Sequence, residues 1–141
     1  MRGLTIRQPW VWAIVHGGKR VENRSQPKAY RGPLAIHAGL QVDDWALTQP
    51  GPALDAIRAW RAAHPGEQLQ MHSGAIVAVA QLVDCHVDDD CHRPWGEPLI
   101  HHLVLTDVTP LAEPVPYKGA LGLWKVDPVL AVQLAHGLPA R

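Results

Sequence analysis

Phenylalanine is absent from this 141-residue chain, cysteine occurs only twice, and acidic side chains are scarce over its first 37 residues. Each shortage excludes something. Two thiols, Cys85 and Cys91, cannot staple a small secreted scaffold and instead fit a reduced cytosolic protein. No apolar run approaches the roughly 18 residues of a membrane helix. The mean hydropathy is -0.09, and Met1-Arg2-Gly3-Leu4-Thr5 lacks the apolar stretch of a secretory leader. The expectation is a cytoplasmic protein with no membrane partner. Trp occurs six times in place of the missing Phe, but its amphipathic ring suits a core and a base-stacking surface equally well.

What is present suffices for one domain. A chain of 141 residues, 47% apolar, can bury a sizeable core without metal or disulfide, so residues 1–141 read as a single globular unit. The formal net charge of zero hides a split. From Met1 to His37, seven basic residues (Arg2, Arg7, Lys19, Arg20, Arg24, Lys28 and Arg31) accompany one acid, Glu22, for a local charge of about +6 that the remainder balances. A basic third on a neutral protein suggests a local site for a polyanion.

Along the chain, Leu4-Thr5-Ile6 alternates as a buried strand does, and Gln8-Pro9 punctuates it ahead of a short helix over Trp10 to His16. Pro27 to Gly32 reads as a loop. Pro33 to Ala38 alternates again, with Leu34 and Ile36 on one face and His37 on the other, where His37 is either a satisfied structural histidine or a ligand contact. Residues 41–72 read as a helical insert broken at Pro50-Gly51-Pro52 and closed by His64-Pro65-Gly66, suited to a lid or a packing insert over one barrel end, or to docking a protein partner. Ala75 to Val83 is a strand buried on both faces, Leu99 to Thr106 another, and Asp127-Pro128 opens a last helix through His136 that Gly137 closes. Many short strands must close or be covered, so the expected fold is α+β, a small mixed β-barrel decorated by short helices.

Asp84 to His92 repeats a Cys-His pair six residues apart, Cys85-His86 and Cys91-His92. Structural zinc takes cysteine pairs two to four residues apart, and adjacent residues on a strand point to opposite faces, so this stretch reads as an acidic solvated loop. No metal and no cofactor is expected.

The densest polar chemistry lies at Gly17-Gly18-Lys19-Arg20-Val21-Glu22-Asn23-Arg24-Ser25, where a helix stops and a strand begins. Along the extended segment Arg20, Glu22 and Arg24 share one face and Val21, Asn23 and Ser25 the other. The charged residues either line a binding cleft or form an ion-pair network that fixes the turn.

Taken together, Leu4-x-Ile6-x-Gln8-Pro9-Trp10, Gly17-x-Lys19-x-x-Glu22-x-Arg24-Ser25, Arg31-Gly32, Ser73-Gly74 before the apolar strand ending Asp84-Cys85, and Lys118-Gly119 with Leu123-Trp124-Lys125 resemble an ASCH domain. The resemblance spans almost the whole chain and looks closest to the form found in the activating signal cointegrator-1 protein. It implies a PUA-like β-barrel and binding of RNA or other nucleic acid. Among similar proteins, one is an amidohydrolase acting on acetylated cytidine and others are reported to cut single-stranded RNA. Lys19 stands at the lysine of that amidohydrolase, while Glu22 replaces its threonine nucleophile. The resemblance therefore implies a stand-alone module that binds RNA or single-stranded nucleic acid in a cleft lined by the signature turn. Gln8, Lys19, Arg20, Glu22, Arg24, Ser25 and His37 are the expected contact residues. In the alternative, a small hydrolase, Lys19 and Glu22 are the catalytic pair.

Overall fold

The computed structural model describes residues 1–136. Gly137 and the tail, expected to end the last helix, lie outside the described residues. The chain runs β1 (Arg2–Gln8), α1 (Trp10–His16), β2 (Val21–Arg24), β3 (Gly32–Val42), α2 (Asp44–Thr48), α3 (Pro52–Ala63), β4 (Ala75–Val87), β5 (His101–Pro116), β6 (Leu123–Lys125) and α4 (Pro128–Ala135). This is the expected α+β class. The strands form one mixed sheet in the order β2-β5-β4-β3-β1-β6, with β1 and β3 parallel and the other neighbours antiparallel.

Period-two alternation builds a core on each face of the sheet. Leu4 and Ile6 of β1, Leu34 and Ile36 of β3, and Leu103 and Leu105 of β5 join Val11 and Ile14 of α1 in the main core. Ala35 and Ile76 pack on the other side with Val126, just after β6, and with Leu134 of α4. With both faces covered, β4 reads as the near-continuous apolar run seen in the sequence. Helices α2 and α3 fall inside the expected insert, although β3 extends two residues into it. Ala53 and Ile57 are buried, and Trp60 meets Trp12 of α1 edge-on at 6.3 Å. The insert thus packs on α1, and Trp45 of α2 remains 73% exposed.

A closed barrel was expected, and the sheet is not closed. Its end strands are too short to complete a ladder, four residues in β2 and three in β6, and they do not pair with each other. Curvature nevertheless brings β2 round to β1, where a side chain replaces strand pairing: Arg24 Nη2 donates to the Thr5 carbonyl at 2.9 Å. Among the described residues no helix is long and apolar enough to cross a membrane.

Candidate nucleic-acid interface

The site begins with how α1 is held at its two ends. Helix starts leave backbone N–H groups without partners, and the Gln8 side chain takes one, its Oε1 accepting from Trp12 N at 2.9 Å. Its Nε2 donates to the His72 carbonyl at 3.0 Å. Gln8 is therefore buried and fully engaged, a strut between α1 and the end of the insert. At the other end Lys19 N and Gly17 N both donate to Ala13 O, and Gly18 takes a φ of 77, a conformation open to glycine at little steric cost. That turn directs the Lys19 side chain inward.

Lys19 is 1% exposed. A buried ammonium needs charge and hydrogen-bond compensation. It donates to Glu22 Oε1 at 3.1 Å and to the Val21 carbonyl, and lies 5.7 Å from the centre of the Trp10 ring. The Trp10 indole is itself fixed by donation to Asp43 at 3.1 Å. The second oxygen of Glu22 accepts from Arg24 Nε at 3.1 Å and Nη2 at 2.9 Å. One carboxylate thus bridges two cations, and the trio carries a net charge of +1.

The expected alternation in β2 holds, because Glu22 pairs with Leu103 of β5 and shares its face. The Asn23 side chain points away and bridges to another loop, donating to the Trp95 carbonyl and accepting from Glu97 N. Arg20 is exposed and donates to the Ile14 and Lys19 carbonyls at the end of α1. Ser25 is exposed beside Arg24.

His37 does not join this cluster. It is 2% exposed and lies on the opposite face of the sheet, with Nδ1 3.1 Å from Thr5 Oγ1 and Nε2 donating to the Tyr117 carbonyl at 2.7 Å. Trp124 meets it edge-on and shares Thr5 Oγ1 through its indole N–H at 3.2 Å. Of its two open readings, the satisfied structural histidine describes this environment. The same spot explains Gly119: a Cβ there would sit 2.3 Å from Thr5 Oγ1 and 2.7 Å from the His37 ring, so the loop passes close only because glycine has no side chain.

Thr5 is thus the meeting point of two motifs about a hundred residues apart. Its carbonyl holds Arg24 of the signature turn, and its side chain abuts the Lys118-Gly119 loop. Sequence reading passed over Thr5. Its place between Leu4 and Ile6 marks it as facing away from the main core, but the role of its carbonyl has no signal in the residue type.

The ASCH domain family model matches residues 4–119, a span running from β1 through the Lys118-Gly119 loop, and the chain belongs to the ASCH domain family. No curated protein matches it.

Proposed function

We propose that this ASCH domain binds RNA or single-stranded nucleic acid where the signature turn meets the Lys118-Gly119 loop. The family's general association with RNA binding supports the class of ligand. One observation carries the location: the Arg24 guanidinium is held rigidly by Glu22 and by the Thr5 carbonyl, yet its side chain is 28% exposed. Among the described residues its Nη1 has no hydrogen-bond partner. A pre-oriented guanidinium with unspent donors is suited to a phosphate oxygen. Arg20, Ser25 and Lys118 are exposed as well and are the further candidate contacts. Lys19 and Glu22 act from beneath by fixing Arg24, and Gln8 and His37 keep α1 and the neighbouring loop in place.

This assignment divides the expected contact residues into outer ligands and inner supports. The hydrolase alternative gains nothing from the geometry, since both Glu22 oxygens are held by cations and the Lys19 ammonium is already committed. The test is fluorescence anisotropy of labelled single-stranded RNA at several salt concentrations, comparing the parent with Arg24→Ala and Arg20→Ala. Binding should weaken steeply with salt, and each loss of a phosphate contact should flatten the log–log slope by about 0.7. Variants that keep the parent's urea midpoint, affinity and slope would overturn the proposed site.

A further inference from the structure

Three histidines distant from the signature turn converge where β4 ends. His86 of β4 and His102 of β5 are direct partners in the strand register, and His92 comes from the following loop. One ring nitrogen from each lies within 4.8 Å of the other two. The cysteines of the same stretch stay out of this set.

Hydrogen bonds fix which nitrogens are free. A carbonyl only accepts, so His102 Nε2, 2.7 Å from the Glu97 carbonyl, must carry its proton. The nitrogen left bare is Nδ1, fully buried and without any hydrogen-bond partner. His86 Nδ1 likewise donates to the Val87 carbonyl at 2.7 Å, leaving His86 Nε2 as a lone pair. His92 Nε2 stands 3.0 Å from that atom and donates its proton to it in the metal-free protein, a hydrogen bond that a metal ion would replace. Metal-binding imidazoles characteristically donate their second nitrogen to a carbonyl or carboxylate, which sets the tautomer and aims the other lone pair.

The surroundings hold this arrangement in place. Arg93 clamps Asp88 through two 2.8 Å hydrogen bonds and donates to the Gly96 carbonyl at 2.7 Å, tying the loop to the end of β4. A Cβ on Gly96 would lie 2.4 Å from His102 Cε1, so the loop is packed flat against that ring. Asn23 anchors the same loop at Trp95 and Glu97.

We infer that His86, His92 and His102 form a site for a divalent transition-metal ion of the zinc class. Neutral imidazoles without thiolates suit zinc and its neighbours and not calcium or magnesium. At zinc–nitrogen distances of about 2.0–2.1 Å, tetrahedral ligand atoms lie roughly 3.3 Å apart, a spacing that the 3.0 Å pair and the 4.8 Å limit bracket. Among the described residues no fourth His, Cys, Asp or Glu joins the set, which leaves a coordination position on the partly exposed side of His86 and His92. An ion here would crosslink β4, β5 and the intervening loop. The inference departs from the expectation of no metal, which rested on cysteine spacing and had no view of His102.

The test strips the full chain with chelator, dialyses it and titrates it with Zn²⁺ by calorimetry, alongside thermal unfolding. The parent and His72→Ala, an exposed histidine outside the set, should each bind one equivalent and gain Tm with rising Zn²⁺. His92→Ala and His86→Ala should bind roughly 10²-fold more weakly or worse, since even outer-shell changes cost 10–100-fold. Because His102 is buried, His102→Gln can disturb the fold, and His92→Ala on the partly exposed loop carries the decision. Its metal-free urea midpoint should match the parent's. Absence of a single tight equivalent in the parent, or parent-like binding by a folded His92→Ala, would overturn the site.

Discussion

Removing the charge of Glu22 should destabilise this protein more than removing the charge of Lys19, although both belong to one ion pair. Glu22→Gln keeps the shape, and its amide oxygen can still accept from Lys19, but the 1% exposed ammonium loses its counter-charge and the amide NH2 is set against the Arg24 donors. Breaking a buried pair from one side in this way costs about 3–5 kcal/mol. Lys19→Met deletes the buried cation itself, and Glu22 keeps its two hydrogen bonds to Arg24. What remains is the unpaired Val21 carbonyl and Glu22 Oε1, whose carboxylate keeps Arg24 as its counter-charge, about 1–3 kcal/mol. The double variant Lys19→Met/Glu22→Gln no longer buries a lone cation, so it should be less destabilised than the sum of the singles, with a coupling of about 0.5–3 kcal/mol. Urea unfolding followed by tryptophan fluorescence reads these differences from midpoints at constant slope. If Lys19→Met costs as much as Glu22→Gln, or the two effects add, the carboxylate does not bridge two cations in the folded protein.

Three further outcomes follow from other parts of the structure. Gly119→Ala should lower stability by about 1–3 kcal/mol through overpacking against Thr5 and His37, and an unchanged urea midpoint would show that the loop does not approach them. Gly3→Ala, whose Cβ would meet the Trp124 ring at 2.4 Å, should loosen β6 and blue-shifted tryptophan emission should move toward that of exposed indole; unchanged emission would contradict the packing. Burial, followed by the neighbouring His64 and His72, holds His16 below the ordinary histidine pKa of 6.5, so the fold favours its neutral form. Stability from His16 is then complete above pH 6.5 and declines as pH falls through that value toward the lower folded pKa. His16→Asn should accordingly lose less Tm than the parent between pH 8 and pH 5, and equal losses would remove His16 from the pH response.

Elements governed by local pattern were legible in the sequence. Helix α1 is bounded by Pro9 and Gly17-Gly18, and α3 by Pro52 and His64-Pro65-Gly66, while the run from Ala75 announces β4 by its composition. Length was harder, because β4 continues through Asp84, Cys85 and His86 into polar sequence once β5 supplies a partner strand. Closure of the sheet was not legible at all. It depends on how far β2 and β6 reach, and a four-residue strand whose arginine spans the gap looks in sequence like any edge strand. For the candidate site, the signature residues Lys19, Glu22 and Arg24 do meet, but burial of the first two is set by the Gly18 turn and by Trp10. Gln8 and His37 are polar side chains beside motifs, a position that suits a contact as well as a support, and their hydrogen bonds to Trp12, His72 and Tyr117 backbone groups have no signal in the residue type. His102 escaped because its neighbour His86 lies across a strand pairing.

Amide chemical-shift mapping with a short single-stranded RNA at low salt shows whether nucleic acid meets the protein where the signature turn approaches the Lys118-Gly119 loop. Binding there should give saturable shifts concentrated at Arg20, Arg24, Ser25, Lys118 and Gly119, with α2 and α3 unmoved, and these should be lost in a folded Arg24→Ala. Shifts confined to α2 and α3, or no shifts with RNA in excess, would contradict it.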